Sequence, residues 1–207
     1  SHAMAAIRHY LTLLEPDHMS ILIHKTLFDV PLFGPYLERA GHLSVNQERG
    51  RAAFDRAARI LSEGHTIGIF PEGDVSPDHG GFHPPHTGAI RLALGAGVPI
   101  IPVGIDLDRD RIRRIETKVK GEIEVGNWYT HGAYAMTVDA PLQFNGEVSD
   151  RAHVRAASEE LMQRIGQLAR QSARRLSAST IPWQERSSWL GMLTARVAGL
   201  IWAFPSA

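Results

Sequence analysis

A glutamate and a glycine follow directly on an apolar run stopped by proline in residues 69–77 (IFPEGDVSP). An acid at a strand end lies where open α/β sheets gather their ligands, and a glycine beside it lets a substrate come close to the backbone. Glu72 is therefore expected to face a substrate across Gly73. A Pro-Glu-Gly turn carrying a solvated acid accounts for the same residues. Just downstream, Asp78, His79, His83 and His86 (DHGGFHPPH) place four metal-competent side chains within nine residues. Zinc is held by such groups. No second His-rich group accompanies them, and the intervening glycines and prolines leave the loop shape open, so a polar loop facing substrate is expected and no metal.

These residues need elements to hold them. Residues 20–23 (SILI) read as a buried strand that leads into a loop at His24 and Lys25. Between residues 48 and 63, Phe54, Ala57, Ala58 and Leu61 recur at i, i+3, i+4 and i+7, and Gly64 supplies a stop, which predicts a helix packed on a sheet. Residues 66–70 (TIGIF) and 98–105 predict strands with a short helix over 87–96 between them. Residues 121–125 and 135–138 predict later strands, with Gly126 and Gly132 bounding the loop between them. Val154, Ala157, Leu161, Ile165, Leu168 and Ser172 mark one face of a long helix over 150–176. The pattern predicts an α/β class: a single domain with a mixed, mostly parallel sheet flanked by helices.

At 207 residues the chain has room for a sizeable core, and 22 basic against 22 acidic groups give no electrostatic reason to bind nucleic acid. With 0 cysteines, disulfides, thiol nucleophiles and thiolate metal sites are excluded together. Residues 1–4 (SHAM) read as a cloning remnant and no signal-peptide pattern follows them. No uncharged apolar run reaches the ~20 residues of a membrane-spanning helix. Residues 183–205 form a separate apolar segment in which 189–204 (WLGMLTARVAGLIWAF) carries one Arg, suiting a helix at a membrane surface or one packed on the domain or on a second copy. Residues 5–176 are the domain proper.

IFPEGDVS resembles the third motif of the lysophosphatidate acyltransferase family of glycerolipid synthesis, FPEG followed by Thr, Arg and Ser. Residues 98–103 (VPIIPV) are similar to its fourth motif, and residues 87–89 (TGA) stand where that family begins a helix with Lys-x-Gly. Residues 25–34 (KTLFDVPLFG) and 40–45 (AGHLSV) resemble an upstream segment and the second motif, so the likeness covers about residues 20–170. It implies an enzyme that moves a fatty acyl group from acyl-CoA or acyl carrier protein to a hydroxyl of a lipid or lipid precursor. No cofactor is implied beyond that co-substrate. Glu72, Gly73, Ser76, His86 and Gly88 then bind substrate, His86 standing where the family often carries Lys. A cytoplasmic protein peripheral to the membrane is implied. A catalytically inactive relative that binds lipid or membrane is the alternative.

In that family a His in a His-x4-Asp motif removes the acceptor's proton while the Asp orients the ring. A neutral imidazole of pKa ~6.5 beside a carboxylate suits that task. The family places the motif roughly twenty residues before the Lys segment, near or before Ser1 here, and neither His9 nor His18 has an Asp five positions on. One expectation, the preferred one, is that the motif precedes the present chain. The other is that His24 and Asp29 (HKTLFD), which have the spacing, take the role. A polar residue at a strand end and a turn before Pro31 explain the same two side chains. The family's phosphate-holding arginines are replaced by Gln47 and Val75, neither of which can grip phosphate with two N–H groups, so plain lysophosphatidate is not the expected acceptor. Arg49 and Arg51 lie near enough to compensate, and equally suit an exposed helix start.

Overall fold

The computed structural model describes residues 19–31, 33–45, 50–73, 76, 81–119, 121–129 and 131–178. In the first half, β1 (Ser20–His24) leads through α1 (Lys25–Phe28) and α2 (Phe33–Arg39) to β2 (Leu43–Val45), and α3 (Gly50–Ser62) leads to β3 (Ile67–Gly68). The strand order is β2-β1-β3, and β1 pairs in parallel with both neighbours, Leu22 opposite Leu43 and Ile21 opposite Gly68. Parallel pairing requires a crossover between strands, which the helices supply. Residues 25–39, expected to begin as a loop, hold the two short helices α1 and α2 instead. A Cβ on Gly34 would sit 1.8 Å from the Phe28 carbonyl oxygen, so only glycine lets α2 start against the end of α1. Phe33 and Leu37, one turn apart, then reach the core beside Ile23 and Leu27.

Helix α3 forms where its apolar period predicts. Ala57 is fully buried against Leu43 and Leu92, where a small side chain lets helix and sheet approach closely. The chain leaves the helix through Gly64 at φ +88°, with the His65 N–H returning to the Ile60 carbonyl at 3.1 Å.

The second half runs through α4 (Gly88–Ala96), β4 (Val103–Leu107), a 3-10 turn (Arg109–Arg111), β5 (Ile112–Val119), β6 (Glu122–Tyr129), β7 (Tyr134–Val138) and α5 (Arg151–Ala178). Strands β4 and β7 pair antiparallel, and β5 and β6 form an antiparallel hairpin. The hairpin corrects two sequence expectations. Strand β5 was not foreseen, and Gly126, read as a loop boundary, lies within β6 opposite Ile115. Strand β4 begins five residues later than the apolar run at 98, whose Ile100 makes only an isolated bridge to Leu142.

Helix α5 lies against β4 and β7. A Cβ on Gly104 would stand 2.1 Å from the Ala169 nitrogen and 2.3 Å from the Leu168 carbonyl carbon, so strand and helix touch backbone to backbone there. Ser172, fully buried, donates to the Gly104 carbonyl at 2.9 Å and hydrogen-bonds Thr137 Oγ1 at 2.6 Å. Asp150 caps the helix, its Oδ1 accepting from the amides of Ala152 (3.1 Å) and His153 (3.0 Å). The result is an α/β fold with helices flanking a parallel sheet and further antiparallel pairs, as the alternation of strands and helices predicts. Ile69, the residue after β3's last neighbour, packs against two core clusters: one with Ile90, Val154 and Leu161, the other with Leu43 and Leu92. That double anchor fixes the segment 70–73 which follows.

Candidate active site

Strands β1 and β3 run in parallel, β3 ending with Gly68 opposite Ile21, so the chain after each leads toward the same end of the sheet, the edge where such folds place ligands. After β3 the chain turns sharply. The Gly73 N–H returns to the Phe70 carbonyl at 3.1 Å, and Gly73 adopts φ +70°, a conformation that side chains resist. A Cβ on Gly73 would also meet the His86 ring, 2.6 Å from Cδ2 and 2.9 Å from Nε2. The His86 amide donates to the Pro71 carbonyl at 2.8 Å. His86 thus lies directly over the turn, thirteen residues on in sequence.

The Glu72 carboxylate is half-buried and turned onto its own loop. Oε1 accepts from the Ser76 hydroxyl at 2.7 Å and Oε2 from the His83 amide at 2.9 Å. One carboxylate therefore ties down both the near and the far part of the 72–83 loop. Each carboxylate oxygen thus accepts one hydrogen bond from the loop. The neighbouring Phe82 ring lies over Gly166 of α5, where an added Cβ would stand 3.2 Å from Cε2. Glu72, Gly73, Ser76 and His86 are gathered here, while Gly88 opens α4 with free space around its Cα. Thr87, the residue before α4, makes no side-chain cap to the first N–H groups of that helix. Pro102 is fully buried in the core, its carbonyl accepting from the Asp139 amide at 3.0 Å, and Pro99 is exposed.

His24 and Asp29 occupy opposite ends of α1. His24 is its N-cap: Nδ1 accepts from the Thr26 amide at 3.4 Å and lies 3.0 Å from Thr26 Oγ1. Nδ1 thus faces the first turn of α1. Asp29 is the C-cap, its own N–H bonded to the Thr26 and Leu27 carbonyls. The two residues thus cap the two ends of one short helix. Among the described residues no group of three or more His, Asp or Glu side chains converges as metal ligands. Gln47, Arg49, Asp74, Val75, Asp78, His79 and the segment 183–205 lie outside the described residues, and no described helix is long and apolar enough to cross a membrane. The participants that sequence reasoning missed are the His83 amide and Phe82. A backbone N–H leaves no mark in a sequence, whereas Phe82 could have been suspected as a lone aromatic between glycine and histidine.

Comparison with known proteins bears on what this loop belongs to. The acyltransferase family model matches residues 4–106, the stretch that contains β1 through β4's first residues and the whole Glu72 loop. A 1-acyl-sn-glycerol-3-phosphate acyltransferase of Haemophilus influenzae is 28% identical over 156 residues, covering 72% of this chain and 60% of that protein. Over residues 4–106 the chain is similar to the acyltransferase family. Another acyltransferase of the same name, from Escherichia coli, is 33% identical over 92 residues, which is 42% of this chain and 37% of that one. The crystal structure of the 1-acyl-sn-glycerophosphate (LPA) acyltransferase PlsC from Thermotoga maritima superposes with a TM-score of 0.50 at 22% identity, covering 81% of this chain and 59% of that chain. That likeness supports the acyltransferase fold. The chain spans about 60% or less of the length of these curated relatives.

Proposed function

We propose that this acyltransferase chain transfers a fatty acyl group from an acyl-CoA or acyl carrier protein thioester to a hydroxyl of a lipid or lipid precursor, working at a membrane surface. The observation that carries the reading is the Glu72 latch: the glutamate of the family's most distinctive motif bonds the Ser76 hydroxyl and the His83 amide, with Gly73 close against His86, just before α4. In the reaction the acceptor oxygen attacks the thioester carbonyl, and the tetrahedral intermediate collapses with loss of the thiolate, which takes up the proton released by the hydroxyl. Negative charge develops on the carbonyl oxygen, and the uncapped N–H groups of α4 suit it. The loop's own role is to hold the acceptor hydroxyl at that carbonyl. With Gln47 and Val75 in place of arginines, the acceptor is a glycerolipid without a terminal phosphate monoester.

One observation favours a second reading, a lipid-binding relative without catalysis: the contacts of the His24 ring are those of a helix cap to Thr26. Radiolabelled palmitoyl-CoA incubated with the chain and a panel of lysophosphatidate, lysophosphatidylglycerol and monoacylglycerol separates them. Label is expected in the acceptors lacking the phosphate monoester and is expected to survive His24→Ala. Label confined to lysophosphatidate overturns the acceptor assignment, and label in none of them leaves the lipid-binding reading.

A further inference from the structure

Residues 60–90, which contain the whole Glu72 loop, hold no lysine or arginine, and Arg91 just beyond them lies over the Phe54 ring at 5.7 Å. A permanent cation reaches this loop from α5. A Cβ built on Gly166 would stand 3.5 Å from Arg170 Nη1 and 3.2 Å from Phe82 Cε2, so the guanidinium and the ring both reach the bare surface of one helical position. Arg170 is one turn beyond Gly166 on the same face. Phe82 in turn precedes His83, whose amide donates to Glu72 at 2.9 Å. Ile165 joins the core cluster that Ile69 packs against just before the loop. Arg170 thus stands at the flank of the Glu72 loop.

The charge that α5 brings there is not neutralised. Arg170 and Arg174 are exposed, stand one turn apart, and make no hydrogen bond or ion pair among the described residues. Three and four positions from Arg170 are Gly166, Gln167, Ala173 and Arg174, and the last acid of the helix is Glu160. The neighbouring arginines differ: Arg164 is bonded to Asp139, and Arg175 donates to the Met136 carbonyl at 2.9 Å. Like charges one turn apart disfavour a helix by themselves, and an anion from outside relieves them. The anion that matches a guanidinium fork is a phosphate, taken through two oxygens at once. The acceptor proposed above carries no phosphate monoester, but a phosphodiester still offers two free oxygens and one negative charge. Glycerol carbons set that group apart from the hydroxyl that reacts, so its anion belongs at the flank of the loop rather than at the Gly73 turn.

We propose that Arg170, backed by Arg174, binds the phosphodiester of a lysophospholipid acceptor and so selects acceptors by headgroup. The site deepens the acyl-transfer reading and rests on it for which substrate brings the anion, since the CoA of the donor carries phosphate groups as well. Transfer from palmitoyl-CoA to lysophosphatidylglycerol and to monoacylglycerol, each substrate varied in turn, tests it. The 31P resonance of hexanoyl lysophosphatidylglycerol, titrated with the intact chain, reads binding without transfer. Arg170→Gln is expected to raise KM for lysophosphatidylglycerol about threefold to tenfold at unchanged kcat, to leave monoacylglycerol unaffected and to remove most of the 31P shift. Arg170→Lys keeps the charge without the fork and is expected to fall between. An unchanged KM for lysophosphatidylglycerol, or no 31P shift with the unsubstituted chain, overturns the site. So does an equal loss with both acceptors and a higher KM for palmitoyl-CoA, which assigns the guanidinium to the donor's phosphates. A loss confined to adsorption on phosphatidylglycerol vesicles overturns it too and makes Arg170 a bilayer contact. If the 31P line responds through Arg170 but no acceptor is labelled, the site stands and the transfer reading fails; if Arg170→Gln acylates lysophosphatidylglycerol unimpaired, the reverse holds.

Discussion

Glu72→Gln is the substitution that most directly separates a loop latch from a substrate ligand. The carboxylate accepts two hydrogen bonds, 2.7 Å from Ser76 and 2.9 Å from the His83 amide. The amide side chain can keep its oxygen toward Ser76, but it then presents an NH2 group to the His83 N–H, donor against donor. A hydrogen bond to an ionised group contributes about 1.5–3 kcal/mol, and partial exposure of Glu72 argues for the lower end. A loss of about 1.5 kcal/mol from the closed loop is roughly tenfold in its population, and kcat/KM for the acceptor should fall by about that factor. Ser76→Ala removes only the other bond and should cost about threefold to fivefold. Because both act through one closed loop, the double variant should fall short of the product of the two effects. The assays are steady-state kinetics with varied acceptor and exchange of the His83 amide followed by NMR, which should quicken in Glu72→Gln. If transfer drops by orders of magnitude while that amide stays as protected as before, the carboxylate acts on the substrate and the latch argument is wrong.

Gly104→Ala should be the most damaging small change in the core, because the added carbon meets backbone atoms at 2.1 and 2.3 Å that cannot step aside; overpacking of this kind costs about 1–3 kcal/mol or more, read as a Tm lower by roughly 3–10 °C. Gly73→Ala pays about 1–2 kcal/mol for the left-handed backbone and also displaces His86, so adding His86→Ala should restore part of the lost Tm. His24→Ala should cost about 1 kcal/mol in a denaturant melt through loss of the cap, with little change in transfer rate. His42 gives a pH test. Burial lowers its pKa below 6.5, and its Nδ1 accepts from the Ile21 amide at 3.3 Å, so the folded state holds it neutral. The unfolded chain binds the proton first as pH falls, hence stability is full above about pH 6.5 and declines below it until the folded-state pKa is reached. Urea melts at pH 7.5 and 5.5 should show the decline, and His42→Gln should flatten it.

The long helices were legible because their apolar faces recur with helical period over several turns: α3 and α5 end within two residues of where Gly64 and the Leu168–Ser172 stripe place them. Helices α1 and α2 were not, since four and seven residues carry too little period, and they exist because Phe33 and Leu37 find a core and Gly34 clears the Phe28 carbonyl. Strand β5 was hidden by its charges: IRRIETKV spaces its first two isoleucines three apart, which does not read as alternation. In the site, Gly73 was readable because only glycine suits its backbone. Glu72 was found for its position, but its bond to a main-chain amide eleven residues away leaves no mark in the sequence.

The buried Ser172 contact has a consequence for how the chain is made. Ser172 closes on Gly104, 68 residues earlier, and on Thr137, 35 residues earlier. At about 5–20 residues per second of synthesis, β4 waits roughly 3–14 s with its helix-facing side uncovered before α5 exists to cover it. During that interval the α5-facing side of the β4–β7 pair, with Gly104 and Thr137, is open to any chaperone or neighbouring nascent chain. Ribosome profiling with trigger-type chaperone capture should find occupancy rising after residue 138 and ending once α5 has emerged.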